Sequence, residues 1–323
     1  MGEKASIFQT VQIGIETTPG TPIAANKKLL ATSLIPAVKV EGDTFRAMGN
    51  KYPSFAIINK EWSEAKVEGK LTYNEVLYLL SSLLSQPLPV QQGATTAYKW
   101  TFISNTNAED AGKTFTVEQG DANSAWRAAG VKVSGLEFTF NRDETSVSGT
   151  AIGQQLETGI TLTASPTSMM PKPVLPAHLK LYMADSQAGL DSAQALSRGF
   201  SLTWSLTDKN ALVWPVGQSP VLIESEPKLE AKLSLATDTV GLGLITTMRA
   251  GSTKWLRIKA EGNTIETPYK YTVQIDFPAQ VVDVGDFSDE DGIYLMEYAL
   301  SGVHDATWDK TFQVDVIADV QTL

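Results

Sequence analysis

The sequence predicts a mainly β protein built from two tandem domains, each a small β-sandwich or half-barrel with one flanking α-helix. Three observations support this fold class: an internal repeat, polar and apolar residues that alternate with the period of a strand, and a length of 323 residues. That length corresponds to two domains of about 150 residues each. The predicted boundaries are 1–163 for the first domain, 164–177 for a proline-rich linker and 178–323 for the second domain.

The repeat is clearest between Ser63–Tyr73 (SEAKVEGKLTY) and Ser225–Leu235 (SEPKLEAKLSL), which lie 162 residues apart. Six of the eleven positions are identical, whereas chance at roughly 6% per residue type gives about one match. Charged residues alternate with small or apolar ones, so each copy predicts a strand with one wet face and one buried face. The charged residues are Glu64, Lys66, Glu68 and Lys70 in the first copy and Glu226, Lys228, Glu230 and Lys232 in the second.

Weaker matches on both sides keep the same order, which indicates duplication of one domain. The alternative is that amphipathic strands merely resemble one another. Upstream the offset of 162 is unchanged, and downstream it shifts by a few residues, as loop insertions would produce. The matches are Leu34 with Leu196, Val40 with Leu202, 98–103 with 253–258, 115–117 with 271–273, and 137–138 with 297–298.

The first predicted element is a strand at Phe8–Ile15, which the run Thr18-Pro19-Gly20-Thr21-Pro22 follows. Two prolines around a glycine stop both a helix and a sheet ladder. Residues 7–32 are therefore either a first strand and its loop or an arm that lies on a neighbouring subunit. A second strand is predicted at Leu34–Glu41, and the next one begins near Ile57.

The connection Gly42–Phe55 is long and contains four large apolar residues. Connections of this length are usually functional or disordered, and a disordered one should lack such residues. We expect Phe45, Met48 and Tyr52 to bury against a partner. The alternative is that the connection folds back on its own domain.

Two helices and four further strands complete the prediction. Thr72 and Glu75 form a capping box that opens an apolar-faced helix, and Thr237-Asp238 opens a weaker helix that ends at Gly251. The further strands lie near 98–104, 112–119, 129–141 and 145–153.

Composition excludes several classes of function. The net charge of −10 and the pI of about 4.8 disfavour tight nucleic-acid binding, because such proteins release counterions through basic surfaces. The absence of cysteine excludes disulfides, thiol catalysis and thiolate metal sites. No apolar run of 18 residues or signal-peptide pattern is present, so we expect a soluble protein without a membrane anchor.

The residues that usually carry catalysis form no recognisable set. His178 and His304 have no neighbouring residues in the sequence that would make either a base or a ligand. The acidic run Asp283–Gly292 does not fit an EF-hand, which leaves a weak cation site or a solvated acidic loop as alternatives. We therefore expect no enzyme activity, no catalytic residues, no cofactor and no metal.

Several short motifs in order resemble the tail tube (major tail) proteins of long-tailed bacteriophages, and the duplication is similar to the tandem type of some siphophages. No single motif is diagnostic, and the resemblance comes from their order over most of the chain. The motifs are Gln12-x-Gly14-x-Glu16-x-Thr18-Pro19-Gly20-Thr21-Pro22, the strand and helix from Glu68-Gly69-Lys70-Leu71 into Leu80, Phe115–Asp121, and Gly130-Val131-Lys132-Val133.

The resemblance implies a structural subunit whose inner strands join those of its neighbours into a hollow β-barrel. Three two-domain chains would form a ring with pseudo-sixfold symmetry, and stacked rings would form a tube through which DNA passes without specific binding. We expect the eight charged residues of the two repeated strands to face the lumen or else the outside. The expected ring-stacking residues are Phe45, Arg46, Met48, Tyr52 and Phe55, while the second copy has a shorter stacking loop at Asp208–Pro220.

The resemblance also implies tape measure, tail terminator and tip proteins as partners, assembly in the bacterial cytoplasm and location in the virion tail. A second hypothesis is a β-rich virion decoration protein or adhesin, which would share the acidic composition but would not polymerise. An enzyme of the sandwich type would need a pocket with clustered carboxylates.

Overall fold

The structure is a computed structural model, and it describes residues 9–121, 124–197, 199–216, 220–290 and 292–323. It confirms a mainly β fold, with 55% of residues in strands and 8% in helices. Phe8, the start of the first predicted strand, lies outside the described residues.

The predicted strands of the first half agree closely with observed ones, and in the second half β16 corresponds to the repeated stretch 225–235. In the first half the elements are β1 (Thr10–Ile15), β2 (Lys27–Leu29), β3 (Thr32–Phe45), β4 (Phe55–Lys70), α1 (Val76–Leu83), β5 (Val90–Gln91), β6 (Tyr98–Ile103), β7 (Phe115–Gly120), β8 (Ala125–Asn141), β9 (Thr145–Gly153), β10 (Glu157–Ile160) and β11 (Thr167–Ser168). In the second half they are β12 (Leu179–Ala184), β13 (Gly199–Thr207), β14 (Asn210–Val213), β15 (Val221–Glu224), β16 (Lys228–Ala236), α2 (Thr239–Arg249), β17 (Lys254–Glu266), β18 (Tyr269–Val284), β19 (Ser288–Glu290), β20 (Ile293–Gly302) and β21 (Gln313–Ala318).

Eight of these strands form one continuous antiparallel sheet across both halves. Its order is β3-β4-β9-β8-β13-β16-β20-β18. The first four strands come from the first half and the last four from the second, and the two groups join where β8 pairs with β13. The sheet does not close into a barrel.

The same pattern of neighbours occurs in each half. The N-terminal part of β8 pairs with β7 and β10, and β7 pairs with β1. The N-terminal part of β18 likewise pairs with β17 and β21, and β17 pairs with β12. The helices occupy equivalent places too, since α1 contacts β8 in the first half and α2 contacts β18 in the second.

This pattern corrects part of the sequence repeat. Gly69 of β4 and Ala231 of β16 are equivalent at the offset of 162. Gly69 pairs with Thr32 of β3, and Ala231 pairs with Trp204 of β13. Equivalent residues of β3 and β13 are therefore 172 residues apart. Downstream, sheet neighbours match β7 with β17, not β6 with β17. The sequence matches outside β4 and β16 therefore join strands that are not equivalent in the sheet. They arose because two alternating strands of similar composition can be aligned equally well after a shift of two residues.

The core is continuous across the junction between the halves. Trp204 of β13 lies directly opposite Phe138 of β8, and their rings stack with centroids 5.5 Å apart. Phe312 also contacts Trp204, edge to face, with ring centroids 5.5 Å apart. All three side chains are buried. The two halves therefore share one apolar interior, in the manner of a single large domain.

The first helix is more deeply buried than its predicted apolar face requires, since all eight residues of α1 are buried. Thr72 accepts the Glu75 amide at 3.2 Å, as in a capping box. The Glu75 carboxylate, however, accepts the amides of Leu30, Ala31 and Thr32 at 2.8–3.0 Å. Only half of the predicted box is present, because this carboxylate fixes the start of β3 instead.

Three predicted connections are more ordered than the sequence indicated. The strands β3 and β4 extend to Phe45 and Phe55, so the predicted connection shortens to residues 46–54. β1 pairs with β7 of the same chain, so residues 10–15 belong to a sheet and not to a free arm. The predicted linker 164–177 lies against the first half, where the Val174 amide donates to the Leu71 carbonyl at 2.9 Å.

Candidate functional site

The charged residues of the repeated strands lie on one face of the eight-stranded sheet. Those of β4 are exposed except for Glu64, which is half-buried, and those of β16 are exposed as well. The intervening residues Ala65, Val67, Leu229 and Ala231 are buried on the opposite face. Glu226 is exposed but lies between β15 and β16, so it is not part of the strand as predicted.

Strand register assembles a row of residues that the sequence does not reveal. Opposed residues of antiparallel strands lie on the same face with Cα atoms about 4.5–5.5 Å apart. Across the sheet, serine alternates with an acid or an amide. In order the row is Ser33, Glu68, Ser148, Glu137, Ser205, Glu230, Ser301 and Gln280. We call it the Ser/Glu row.

Lysines flank the Ser/Glu row on both sides. Lys66 and Lys228 lie two residues from it towards the β3–β4 turn, and Lys70 and Lys232 lie two residues away in the other direction. Lys66 forms an ion pair with Glu68, and Lys228 lies 2.9 Å from Asp208. Exposed pairs of this kind contribute about 0–1 kcal/mol each. Their effect is a polar sheet face with mixed charge and no continuous basic stripe.

The hairpin of β3 and β4 extends beyond the rest of the sheet. Phe45 and Phe55 form its last pair and stack at 5.0 Å. Both side chains are about half exposed, Met48 and Tyr52 are 103% and 69% exposed, and Arg46 is exposed too. Ile57 and Ile58 add further exposed apolar surface. The hairpin does not fold back on its own domain, and the contacts of its tip are local: Phe45 stacks on Phe55, and the Lys51 ammonium lies 5.5 Å from the centre of the Tyr52 ring.

The corresponding hairpin of the second half is shorter and rests on the first. β14 and β15 pair with each other only, as a separate two-stranded ladder. Trp214, next to the end of β14, contacts Trp62 of β4 edge to face at 6.0 Å. Residues 217–219 of the predicted second stacking loop lie outside the described residues. The described part of this second hairpin also exposes apolar residues, among them Val216, Val221 and Ile223, although it projects less than the first.

A buried charged cluster joins the two halves at the base of the second hairpin. The Lys209 ammonium lies 2.7 Å from the Asp110 carboxylate and also pairs with Glu224; the side chains of Lys209 and Asp110 are 1% exposed. Ser104 and Ser85 donate to Asp110 at 2.9 and 3.0 Å. Burial alone would raise the pKa of Asp110, but the Lys209 hydrogen bond and charge, helped by Ser104, hold that pKa below its ordinary value.

No sequence pattern indicates this cluster, because Asp110 lies 114 residues from Glu224 and only the fold brings them together. Lys132 lies close to it, and burial lowers the pKa of Lys132 despite the neighbouring Glu224 and Asp110. Perturbed groups of this kind occur in active sites but also in structural ion-pair networks. Here Lys209 pairs with Asp110 across the junction, and the Asp110 amide donates to Glu224 at 2.6 Å, which fits a structural role.

Neither histidine lies in a catalytic arrangement. His178 Nδ1 lies 3.1 Å from the Tyr73 hydroxyl, and His304 lies 3.8 Å from exposed Asp309. Within the described ranges no group of three His, Cys, Asp or Glu side chains has metal-binding geometry. The acidic run contributes to β18, β19 and the turn between β19 and β20, and Asp291 lies outside the described residues.

Comparisons with known proteins give no identity. Neither a protein-family model nor a curated protein matches the chain. Among the described residues no helix has both the length and the apolar character that crossing a bilayer requires.

Proposed function

We propose that the chain is a structural subunit of a bacteriophage tail tube, whose sheet continues from chain to chain around a hollow axis. The observation that carries the proposal is the junction of β8 with β13. There the sheet of one half is continued, edge to edge, by the equivalent sheet of the other half. A second copy of the chain can extend the sheet in the same way.

The open edges support this arrangement. Among the described residues, β3 has no strand neighbour on the side away from β4, and the stretch Gln280–Val284 of β18 has none on the side away from β20. Uncovered edges normally lead to aggregation unless they are protected or used. Pro36, in the middle of β3, is a residue that sheets accept at an edge. Pro36 has no N–H to donate, so pairing along β3 is restricted to the residues on either side of it, whereas the open stretch of β18 contains no proline.

Ring size follows from the number of strands. Three chains with eight strands each would close a barrel of about 24 strands, and barrels of 16–18 strands already leave an aqueous channel. In such a ring the polar face would line the channel and the helices would lie outside. The Ser/Glu row would repeat three times around the wall. Carboxylates repel phosphates and the paired lysines offer no free basic stripe, so DNA would slide without being held.

Electron microscopy of the concentrated protein tests the proposal most directly. We expect rings or hollow filaments with three chains per repeat. Val282→Pro should prevent ring closure, since Val282 is 60% exposed within the open stretch of β18 and has no partner in the register with β20; Val282→Thr serves as the matched control. A protein that stays monomeric under all assembly conditions would instead support the decoration protein or adhesin hypothesis.

The lumen assignment has its own test. Glu68→Lys, Glu137→Lys and Glu230→Lys together should leave ring formation intact but make the tubes retain short duplex DNA in a salt-dependent way, and should slow DNA ejection from virions. Asp185→Lys, outside the eight-stranded sheet and 85% exposed, is the control. Equal DNA retention by the triple variant and the control would place this face outside the channel.

A further inference from the structure

A groove lies between the two halves at the end of the eight-stranded sheet that is opposite the β3–β4 hairpin. The turn between β8 and β9, the first residues of β13 and the start of β20 meet there. The groove has a volume of about 640 Å³, within the size range of binding clefts. Its apolar wall residues are Phe140, Leu179, Leu181, Leu196 and Ile293. We call this surface the end groove.

The end groove is cationic, although the chain as a whole has a net charge of −10. Arg142 and Lys180 belong to its lining, which contains no aspartate or glutamate among the described residues. Of the two acids that follow Arg142, Glu144 is paired with Lys70, and Asp143 is exposed on the turn outside the groove. Apolar walls with two cations fit an occupant that has apolar side chains at its centre and carboxylates at its border.

A hairpin with this chemistry stands beside the end groove. It consists of β19 and the start of β20, and its Ile293 lines the groove. Asp289 and Tyr294 oppose each other in the same ladder and lie on the other face of the hairpin. Phe287 and Tyr294 are 64% and 66% exposed, and Asp286 and Asp289 are exposed as well. We call Asp286, Phe287, Asp289 and Tyr294 the acidic face.

The acidic face is not placed to fill the groove of its own chain. The ladder with β20 and the bond from the Thr237 amide to the Tyr294 carbonyl, 3.0 Å long, hold the hairpin in position. Because neighbouring residues of a strand lie on opposite faces, Tyr294 is directed away from the groove that Ile293 lines. A two-fold axis makes two such adjacent surfaces self-complementary, since each surface of one copy then meets the other surface of the second copy.

We propose that two copies of the chain form an isologous dimer through this end, in which the acidic face of each copy occupies the end groove of the other. The two aromatic rings cover the apolar wall, and the two aspartates approach the two cations. The inference concerns free chains in solution and does not rest on the tube proposal. Because the contact joins two like ends, it excludes a head-to-tail neighbour at this end and limits the assembly of free chains.

The contact should be weak and sensitive to charge. Each acidic face is smaller than the roughly 20–30 residues per side that stable complexes use, so we expect a dimer in rapid exchange with monomer. An exposed ion pair changes an affinity by up to about fivefold. The two-fold axis places every pair in the contact twice. Reversing the charge of one surface should therefore weaken dimerisation by about tenfold or more.

Sedimentation equilibrium tests the dimer, over concentrations below those at which larger assemblies form. One variant carries Asp286→Lys with Asp289→Lys, and the other carries Arg142→Glu with Lys180→Glu. Each variant alone should dimerise about tenfold more weakly than the unmodified chain. An equimolar mixture should dimerise again, because both contacts of the mixed dimer join opposite charges. Recovery in the mixture also shows that both variants are folded.

Asp185→Lys with Asp309→Lys is the matched control for the first variant. It gives the same change of net charge, both side chains are 85% exposed, and neither belongs to the acidic face or the end groove. The control should dimerise like the unmodified chain.

Three results would overturn the proposal. They are a chain that stays monomeric at every concentration, a dimer that the control weakens as much as the reversed variants do, and a mixture that does not recover. If only the Arg142 and Lys180 reversal weakens the dimer, the end groove receives a different acidic segment and the assigned occupant is wrong. Rings without this dimer leave the tube proposal intact, whereas this dimer without rings contradicts the tube proposal alone.

Discussion

The buried cluster at the junction gives a prediction whose size follows from the structure. Lys209→Met removes the only cation that contacts both Asp110 and Glu224 among the described residues, while preserving most of the side chain's volume. Two carboxylates then remain close together, with Asp110 fully buried. Breaking a buried pair by removing one partner costs about 3–5 kcal/mol.

The expected thermal shift depends on whether the halves unfold together. They share one core, so we treat them as one unit. Unfolding entropy of about 2.1 cal/mol/K per residue over 323 residues gives roughly 1.5 °C per kcal/mol. The midpoint should fall by roughly 4–7 °C in calorimetry at pH 7.

A matched control and a pH series separate this effect from general damage. Lys228→Met removes an exposed pair with Asp208 and should lower the unfolding midpoint far less than Lys209→Met does. In the unmodified protein the pKa of Asp110 is lower in the folded than in the unfolded state. Asp110 therefore stabilises the fold fully above its unfolded pKa of about 3.9, and this stabilisation is lost as the pH falls through its folded pKa. Without Lys209 the buried carboxylate is costly only while charged, so the deficit should shrink towards pH 4. Equal losses for both variants, or a deficit independent of pH, would refute this account.

Three further predictions concern the sheet and its helices. Glu75→Gln should destabilise the chain by about 2 kcal/mol in urea unfolding and speed hydrogen exchange at Thr32, because one acceptor oxygen for the β3 amides is lost; unchanged exchange would contradict it. Trp204→Phe should change the free energy of unfolding by less than about 1 kcal/mol, because the buried Trp204 Nε1 has no hydrogen-bond partner among the described residues. Phe138→Ala, which removes the ring stacked on Trp204, should cost about 3–5 kcal/mol. Trp214→Ala should cost about 1 kcal/mol and increase the solvent exposure of Trp62 in fluorescence quenching; a loss of several kcal/mol would mean that the second hairpin has a larger role.

Local patterns predicted the strands well and their partners poorly. The alternation in β4 and β16 fixed both faces correctly, because burial on one side of a sheet imposes a period of two. The ends of β3 and β4 were missed because both faces of a projecting hairpin are exposed, so Phe45 and Phe55 follow no such period. Glycine-containing α2 was placed to within two residues by the Asp238 cap, which accepts the amides of Val240 and Gly241.

Features that depend on distant pairs could not be read from the sequence. The Ser/Glu row combines residues from eight strands, and only the register of each ladder brings them together. The Lys209 cluster likewise depends on a loop and a hairpin from different halves. The predicted lumen and stacking residues are exposed, and their contacts with other chains stay predictions.

The projecting hairpin has a consequence for how this chain can change over time. From Val40 to Ile58 most large apolar side chains are solvated, so substitutions there remove few contacts that hold the monomer together. The tightly packed positions, such as Trp204 and Phe138, have no such freedom. Selection can therefore change the surface chemistry of this hairpin while the folded stability of the chain remains nearly constant.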